Sequence, residues 1–280
     1  MLKTIDRVQL AVRDRAAAEE TFTSVLGAEK VGEDKLDAYN AERTTMQAGT
    51  SEFELLQPRG KGPVAAHLDK WGEGLLAAGF STADMTGLAA HLSDAGVEWT
   101  EEGDQLFIDP SQTKGMRVVI SPHAEREPVG VISFLYEVTN VVADWKEAAN
   151  LYADAFGLDY AHFHELTSDH WGYSGILTLF DPPSRLDRIE ITQTFDNEKA
   201  MGRFHQKRGD SLYMCYVEAP DIDEIARRVE SRGGRWTRAN GSGHDNGFIH
   251  PTALCGMLMG VSRPTYAWNW SGHPEMVAPL

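Results

Sequence analysis

Cysteine is nearly absent: the 280 residues contain two, Cys215 and Cys255. Two thiols cannot build a disulfide framework, so a reduced, cytoplasmic chain is expected. Long apolar runs are missing as well. No stretch approaches the roughly 20 residues that span a bilayer, and "MLKTIDRVQL" enters a strand without the apolar core of a signal peptide. No membrane partner is expected. Basic residues are few, 26 Lys and Arg against 42 Asp and Glu, for a formal charge of −16. Nucleic-acid binding needs a basic footprint, so no nucleic-acid partner is expected either.

What remains is an ordinary globular composition. The hydrophobic share of 42% suits a folded chain, and the length fits two domains of common size. In "IDRVQLAVRD" (5–14), Val8, Leu10 and Val12 alternate with Arg7, Gln9 and Ala11. That pattern predicts a strand with one apolar face and one polar face.

The chain also repeats itself. "VQLAVRDRAAAEETFTSVLGAE" (8–29) and "VTNVVADWKEAANLYADAFGLD" (138–159) each read as strand, Asp, amphipathic helix and Gly. Asp14 and Asp144 suit the helix N-cap, and Gly27 and Gly157 suit the left-handed position after the last turn. "WGEGLLAAGFSTADMTGLAAHLSDAGVEW" (71–99) matches "RGDSLYMCYVEAPDIDEIARRVESRGGRW" (208–236) in the same way. "FIDPSQTKGMRVVISP" (107–122) shares its Phe-Ile-x-Pro and Gly-Met landmarks with "FIHPTALCGMLMGVSRP" (248–264). Strand–Asp–helix openings near 5, 75, 135 and 212 give four βαβββ units in two pairs. The expected domains are 1–122 and 131–264, joined by a linker at 123–130. Residues 265–280 form a tail with tryptophan anchors. Glycine-rich "GSGHDNG" (241–247) reads as a loop between strands.

This landmark pattern resembles the vicinal oxygen chelate superfamily of glyoxalases, bleomycin-resistance proteins and extradiol dioxygenases, over nearly the whole chain to Pro264. "GEGLLAAGF" and "FIHPTALCGMLMGVS" look most like its methylmalonyl-CoA epimerase branch, and the two-pair length looks more like an extradiol dioxygenase. The resemblance implies an α+β fold in which each pair forms an open, curved mixed sheet with helices on the outer face. It also implies a divalent metal held by one residue on the first and one on the last strand of each unit, which leaves open positions for substrate oxygens. The matching positions here are Arg7, Glu54, Ala77 and Val119 in the first half and Glu137, Glu190, Met214 and Gly260 in the second. Neither set is a metal site, so no metal ligand is assigned and a divalent metal stays open. In the first bowl Arg7 is expected to pair with Glu54 and plug it.

The second bowl is the better place for chemistry. The resemblance implies that Glu137 and Glu190 face one low-dielectric hollow, where two carboxylates cannot both ionise easily. They are the expected catalytic pair, a general acid and base for proton transfer next to a carbonyl. The alternative is that one glutamate bonds Arg188 or backbone and titrates normally. Thr139, Tyr173, Tyr213, His250 and His164 are the expected substrate-binding residues. Tyr136, Trp171 and Trp236 could line the same pocket, and His162 shares a strand face with His164. Cys215 has no base beside it and is not expected to be a nucleophile. The expected function is an isomerase or lyase acting on a small oxygenated organic molecule. A resistance-type binding protein and a dioxygenase with an atypical metal site are the alternatives. Association into a homo-oligomer is left open.

Overall fold

The computed structural model describes residues 1–239 and 243–279. In the first half, β1 (Leu2–Ala11), α1 (Arg15–Leu26), β2 (Glu29–Leu36), β3 (Ala41–Ala48) and β4 (Ser51–Pro58) make one unit. Helix α2 (Pro63–Trp71) leads to β5 (Gly74–Thr82), α3 (Met85–Asp94), β6 (Thr100–Glu102), β7 (Gln105–Ile108) and β8 (Val118–Pro122). The second half repeats the order. Its first unit is β9 (Phe134–Val141), α4 (Trp145–Phe156), β10 (Phe163–Ser168), β11 (Tyr173–Leu179) and β12 (Arg188–Thr194). Helix α5 (Ala200–Arg208) then leads to β13 (Ser211–Glu218), α6 (Ile222–Ser231), β14 (Trp236–Arg238), β15 (Asn246–Ile249) and β16 (Met259–Ser262).

Local chemistry explains why the units repeat. Asp14, Asp84, Asp144 and Asp221 each accept a backbone N–H of the first turn of the helix they precede. Gly27 and Gly157 close α1 and α4 at φ 67° and 63°, a conformation that costs other residues energy. Two eight-stranded sheets result, in the orders β2-β3-β4-β1-β5-β8-β7-β6 and β10-β11-β12-β9-β13-β16-β15-β14. Within each unit the first and last strands run parallel, and the two units meet antiparallel through β1–β5 or β9–β13. The fold is the expected α+β pair of curved mixed sheets.

The apolar face of β1 lies where its pattern placed it. Val8, Leu10 and Val12 join a buried cluster that also holds Val138 and Val142 of the other half and Phe22, Tyr152, Phe156 and Ile225 from the helices. The helices therefore cover the convex face of each sheet, and that layer is shared by both halves. Phe80 packs edge-on against Phe156 and Phe180 across the junction. Polar contacts reinforce it: Asp187 Oδ1 accepts the Ile5 N–H at 2.7 Å, and Ser51 Oγ accepts the Leu135 N–H at 2.9 Å.

Several details differ from the pattern. Helices α2 and α5 were not apparent as parts of the repeat. Tyr160–His162 is a 3-10 turn rather than strand, so His162 does not share a strand face with His164. Trp236 packs against the convex core and lines no bowl. The loop expected over 241–247 includes Gly241 and Ser242, which lie outside the described residues, as does Leu280 of the tail. In the tail, Tyr266–Trp270 forms a 3-10 helix that buries Ala267 and Trp268 against Tyr136 and Tyr216. No helix among the described residues is long and apolar enough to cross a membrane.

The Asp187 contact gives a test of how firmly the halves are joined. Asp187→Ala should lower the unfolding free energy by about 1–3 kcal/mol, because it leaves the buried Ile5 N–H without an acceptor. Unchanged urea denaturation would show that the contact carries no stability.

Candidate active site

Two residues on each of two parallel strands fix the centre of the second bowl. The register sets Arg188 beside Glu137 and Glu190 beside Thr139. Residues two apart on a strand point to the same side, so all four side chains share the concave face. Arg188 Nε donates to Glu137 Oε2 at 2.7 Å. The Thr139 hydroxyl donates to Glu190 Oε2 at 2.7 Å and stands 3.5 Å from Glu137 Oε1. From β11 the Tyr173 hydroxyl donates to Glu190 Oε1 at 3.0 Å.

The group is almost dry. Arg188 and Thr139 are fully buried and Glu190 keeps 6% of its surface. Burial, and then the neighbouring Glu137 charge, push the Glu190 carboxyl up to about 8, against the pull of Thr139, Tyr173 and Arg188. Burial and the two carboxylates hold the Tyr173 phenol well above its ordinary value. Arg188 spreads its charge over the rings of Tyr136 at 4.9 Å and Trp270 at 5.9 Å. Among the described residues its Nη2 is buried without a hydrogen-bond partner, which leaves a donor open to an acceptor.

β-Bulges bring in side chains that strict alternation would point away. Tyr136 is the extra residue where Tyr216 pairs with Glu137 and Val217 with Leu135, and Tyr213 is the extra residue opposite Thr139 and Asn140. Tyr136 consequently lies in the bowl, stacked on Tyr216 at 5.9 Å. Tyr213 borders the same cluster and meets Phe204 edge-on. Trp171 touches Phe248 but stays exposed.

The remaining expected binding residues do not meet the pair. His250 bonds Thr237 Oγ1 at 2.9 Å at the far edge of the sheet. His164 lies against Gly272 of the tail, and burial together with His273 and Arg188 lowers its basicity. Cys215 is fully buried, and burial raises its thiol pKa.

The donors do not fit a metal. Of the four implied positions, Glu137 is engaged by Arg188, Met214 offers a thioether, and the Tyr216 ring lies over Gly260 where a side chain would stand. Among the described residues no three His, Cys, Asp or Glu side chains cluster closely enough to hold an ion.

The first bowl uses the same register with the charges reversed. Arg7 lies opposite Glu52 and Gln9 opposite Glu54. Arg7 pairs with Glu54 at 2.6 Å, Glu52 at 2.9 Å and Asp6 at 3.0 Å, and Arg43 approaches Glu54 at 3.3 Å. Asp6 reaches this side as the extra residue of a β1 bulge. Burial alone would raise Glu54, but Arg7, Arg43 and the Gln9 amide bring it below the usual carboxylate range.

Two stability measurements separate the bowls. Arg7→Met should cost about 3–5 kcal/mol by stranding buried carboxylates, and a loss under about 1 kcal/mol would contradict the network. Glu190 behaves oppositely with pH. Its folded-state pKa lies above the unfolded value of about 4.3, so the folded chain holds a proton that the unfolded chain releases. Its contribution to stability is full below that pH and is lost as pH rises through about 8. Glu190→Gln should therefore gain on the wild type by a few kcal/mol between pH 5 and pH 8. Parallel stability curves would refute the assignment.

The comparisons with known proteins agree with this architecture. The model of the Glyoxalase/Bleomycin resistance protein/Dioxygenase superfamily matches residues 6–119. A mutant of 4-hydroxymandelate synthase from Streptomyces coelicolor is similar over 94% of this chain and 93% of its own, at 13% identity and a TM-score of 0.71. A xylose isomerase-like TIM barrel/4-hydroxyphenylpyruvate dioxygenase fusion protein is similar over 99% of this chain and 53% of its own, at 9% identity and a TM-score of 0.64. At these identities the likeness shows the fold. Methylmalonyl-CoA epimerase from Mycobacterium tuberculosis shares 27% identity over 48% of this chain and 89% of its own, with a TM-score of 0.41. No curated protein matches the chain. The family likeness is thus confined to residues 6–119, and the second half repeats the fold of the first.

Proposed function

We propose that the second bowl transfers protons next to a carbonyl of a small oxygenated organic molecule, as an isomerase or lyase does. The observation that supports this reading is a buried carboxyl, Glu190, that keeps its proton near neutral pH beside a second carboxyl, Glu137. A carboxylic acid poised in that range can give and take a proton at pH 7. Thr139 stands between the two glutamates. When Glu190 carries the proton, its O–H donates to Thr139, whose hydroxyl turns to donate to Glu137. This hydroxyl lets a proton pass between the carboxyls without water. Tyr173 orients Glu190 from the other side. The unpaired Nη2 of Arg188 suits the substrate's carbonyl oxygen and would stabilise the negative charge that grows there when a neighbouring carbon loses its proton.

No metal enters these steps, because the donor set does not fit one. A dioxygenase reading would need iron bound in stoichiometric amount, which elemental analysis of the purified protein would detect. A non-catalytic binding protein is favoured by one feature, the wall of aromatic rings formed by Tyr136, Tyr216, Phe248 and Trp270. That reading predicts a bound molecule recovered unchanged after long incubation.

The test is hydrogen–deuterium exchange at carbon. The protein is incubated in D2O with 2-oxo acids and 1,3-dicarbonyl compounds, and loss of the C–H signal is followed by NMR. At least one compound should exchange with the wild type. Glu190→Gln should fold normally and slow that exchange by about two orders of magnitude or more. Thr139→Val should slow it less. Exchange by Glu190→Gln at the wild-type rate would overturn the proposal.

A further inference from the structure

Where helix α2 meets the turn before β8, a cleft of about 540 Å³ lies between the halves. That is large enough for a small ligand. Helix α2 contributes His67, Lys70 and Trp71, the turn before β8 contributes Lys114 and Arg117, and the end of α5 contributes Arg208. In a chain with a formal charge of −16, this concentration of cations runs against the overall balance.

Their partners are uneven. Lys114 is paired with Glu147 at 2.7 Å, and Arg117 is near Asp109 at 3.8 Å. Asp210 also lines the cleft, but its Oδ1 already accepts from His205 Nε2 at 2.9 Å and the Ala143 N–H at 2.8 Å. Lys70 and Arg208 differ. Among the described residues neither has a carboxylate within ion-pair distance. Both instead face the Trp71 ring, at 4.5 and 5.0 Å from its centre. An indole attracts each cation, but it supplies no counter-charge. Burial, with no compensating charge, lowers the basicity of Arg208. His67 completes the group. Among the described residues its Nε2 is buried without a hydrogen-bond partner, and burial followed by Arg208 and Arg117 lowers its pKa to about 4. At neutral pH it is an uncharged ring with a polar atom to satisfy.

We propose that this cleft binds an oxyanion, the phosphoryl or carboxylate group of a small molecule, held by Arg208 and Lys70 beside the Trp71 ring with His67 as a hydrogen-bond partner. The guanidinium fork matches two oxygens of such a group. An anion there would neutralise the two unpaired cations together. The assignment does not depend on the chemistry proposed for Glu190.

The full-length protein is titrated with inorganic phosphate and, separately, with malonate at constant ionic strength, with sodium chloride as the control. The indole N–H signal of Trp71, identified by its loss in Trp71→Phe, is followed by NMR. A saturable shift with a millimolar or tighter Kd is expected from at least one anion. Arg208→Gln should weaken it at least about tenfold, and Arg208→Lys should fall between, since it keeps the charge and loses the fork. Melting curves verify that the variants fold. Saturation by phosphate alone would identify a phosphoryl ligand, and saturation by malonate alone a carboxylate. The proposal is overturned if neither anion saturates, if chloride gives the same shift, or if folded Arg208→Gln binds as tightly as the wild type.

Discussion

One register position governs both bowls. In each half the first strand of the leading unit runs beside the last, and a cation faces a carboxylate across that pair: Arg7 with Glu52, and Glu137 with Arg188. A charge buried this deeply must be matched nearby. The two halves meet that demand with opposite polarity, and the next register position feels the difference. Glu54 shares the first bowl with Arg7 and Arg43 and is held as an anion. Glu190 is buried beside another carboxylate, and so keeps its proton against the pull of two donating hydroxyls. The same frame, with one pair exchanged, makes a saturated ion network in one bowl and a titratable site in the other.

The repeat was legible because its signals are local. A capping aspartate, a glycine after the last helical turn and period-two alternation each act within a few residues, and they recur in order along the chain. Placing Arg7, Glu54, Glu137 and Glu190 on concave faces rested on the resemblance, which supplied the strand positions that face the bowl, together with the unit count. The bulges were not legible. Asp6, Leu76, Tyr136 and Tyr213 are extra residues in otherwise paired strands. Their direction depends on where the partner strand slips, and nothing in their own neighbourhood announces that. Helices α2 and α5 were missed for another reason. Each is only nine residues long and lies outside the repeated landmarks. Pro63 at the first turn of α2 was the available signal.

The histidines show the limit of composition as a guide. The second half is rich in them, yet His164 and His250 settle against the tail and a sheet edge. The residue that reorganises the site is Arg188, which the sequence offered as the partner of one glutamate and which bonds Glu137. Fold alone does not assign chemistry. The fold is shared with proteins whose names describe a synthase and a dioxygenase fusion, so the side chains at the strand ends carry the distinction.

The shared convex layer has a bearing on heredity as well as on packing. Helices from both halves rest in one continuous apolar stratum, with Phe80 set between Phe156 and Phe180. Damage in the arginine-filled half would therefore lower the amount of intact protein and, with it, whatever the other half does. In a screen that scores output, a lesion under the first sheet would look the same as one beside Glu190.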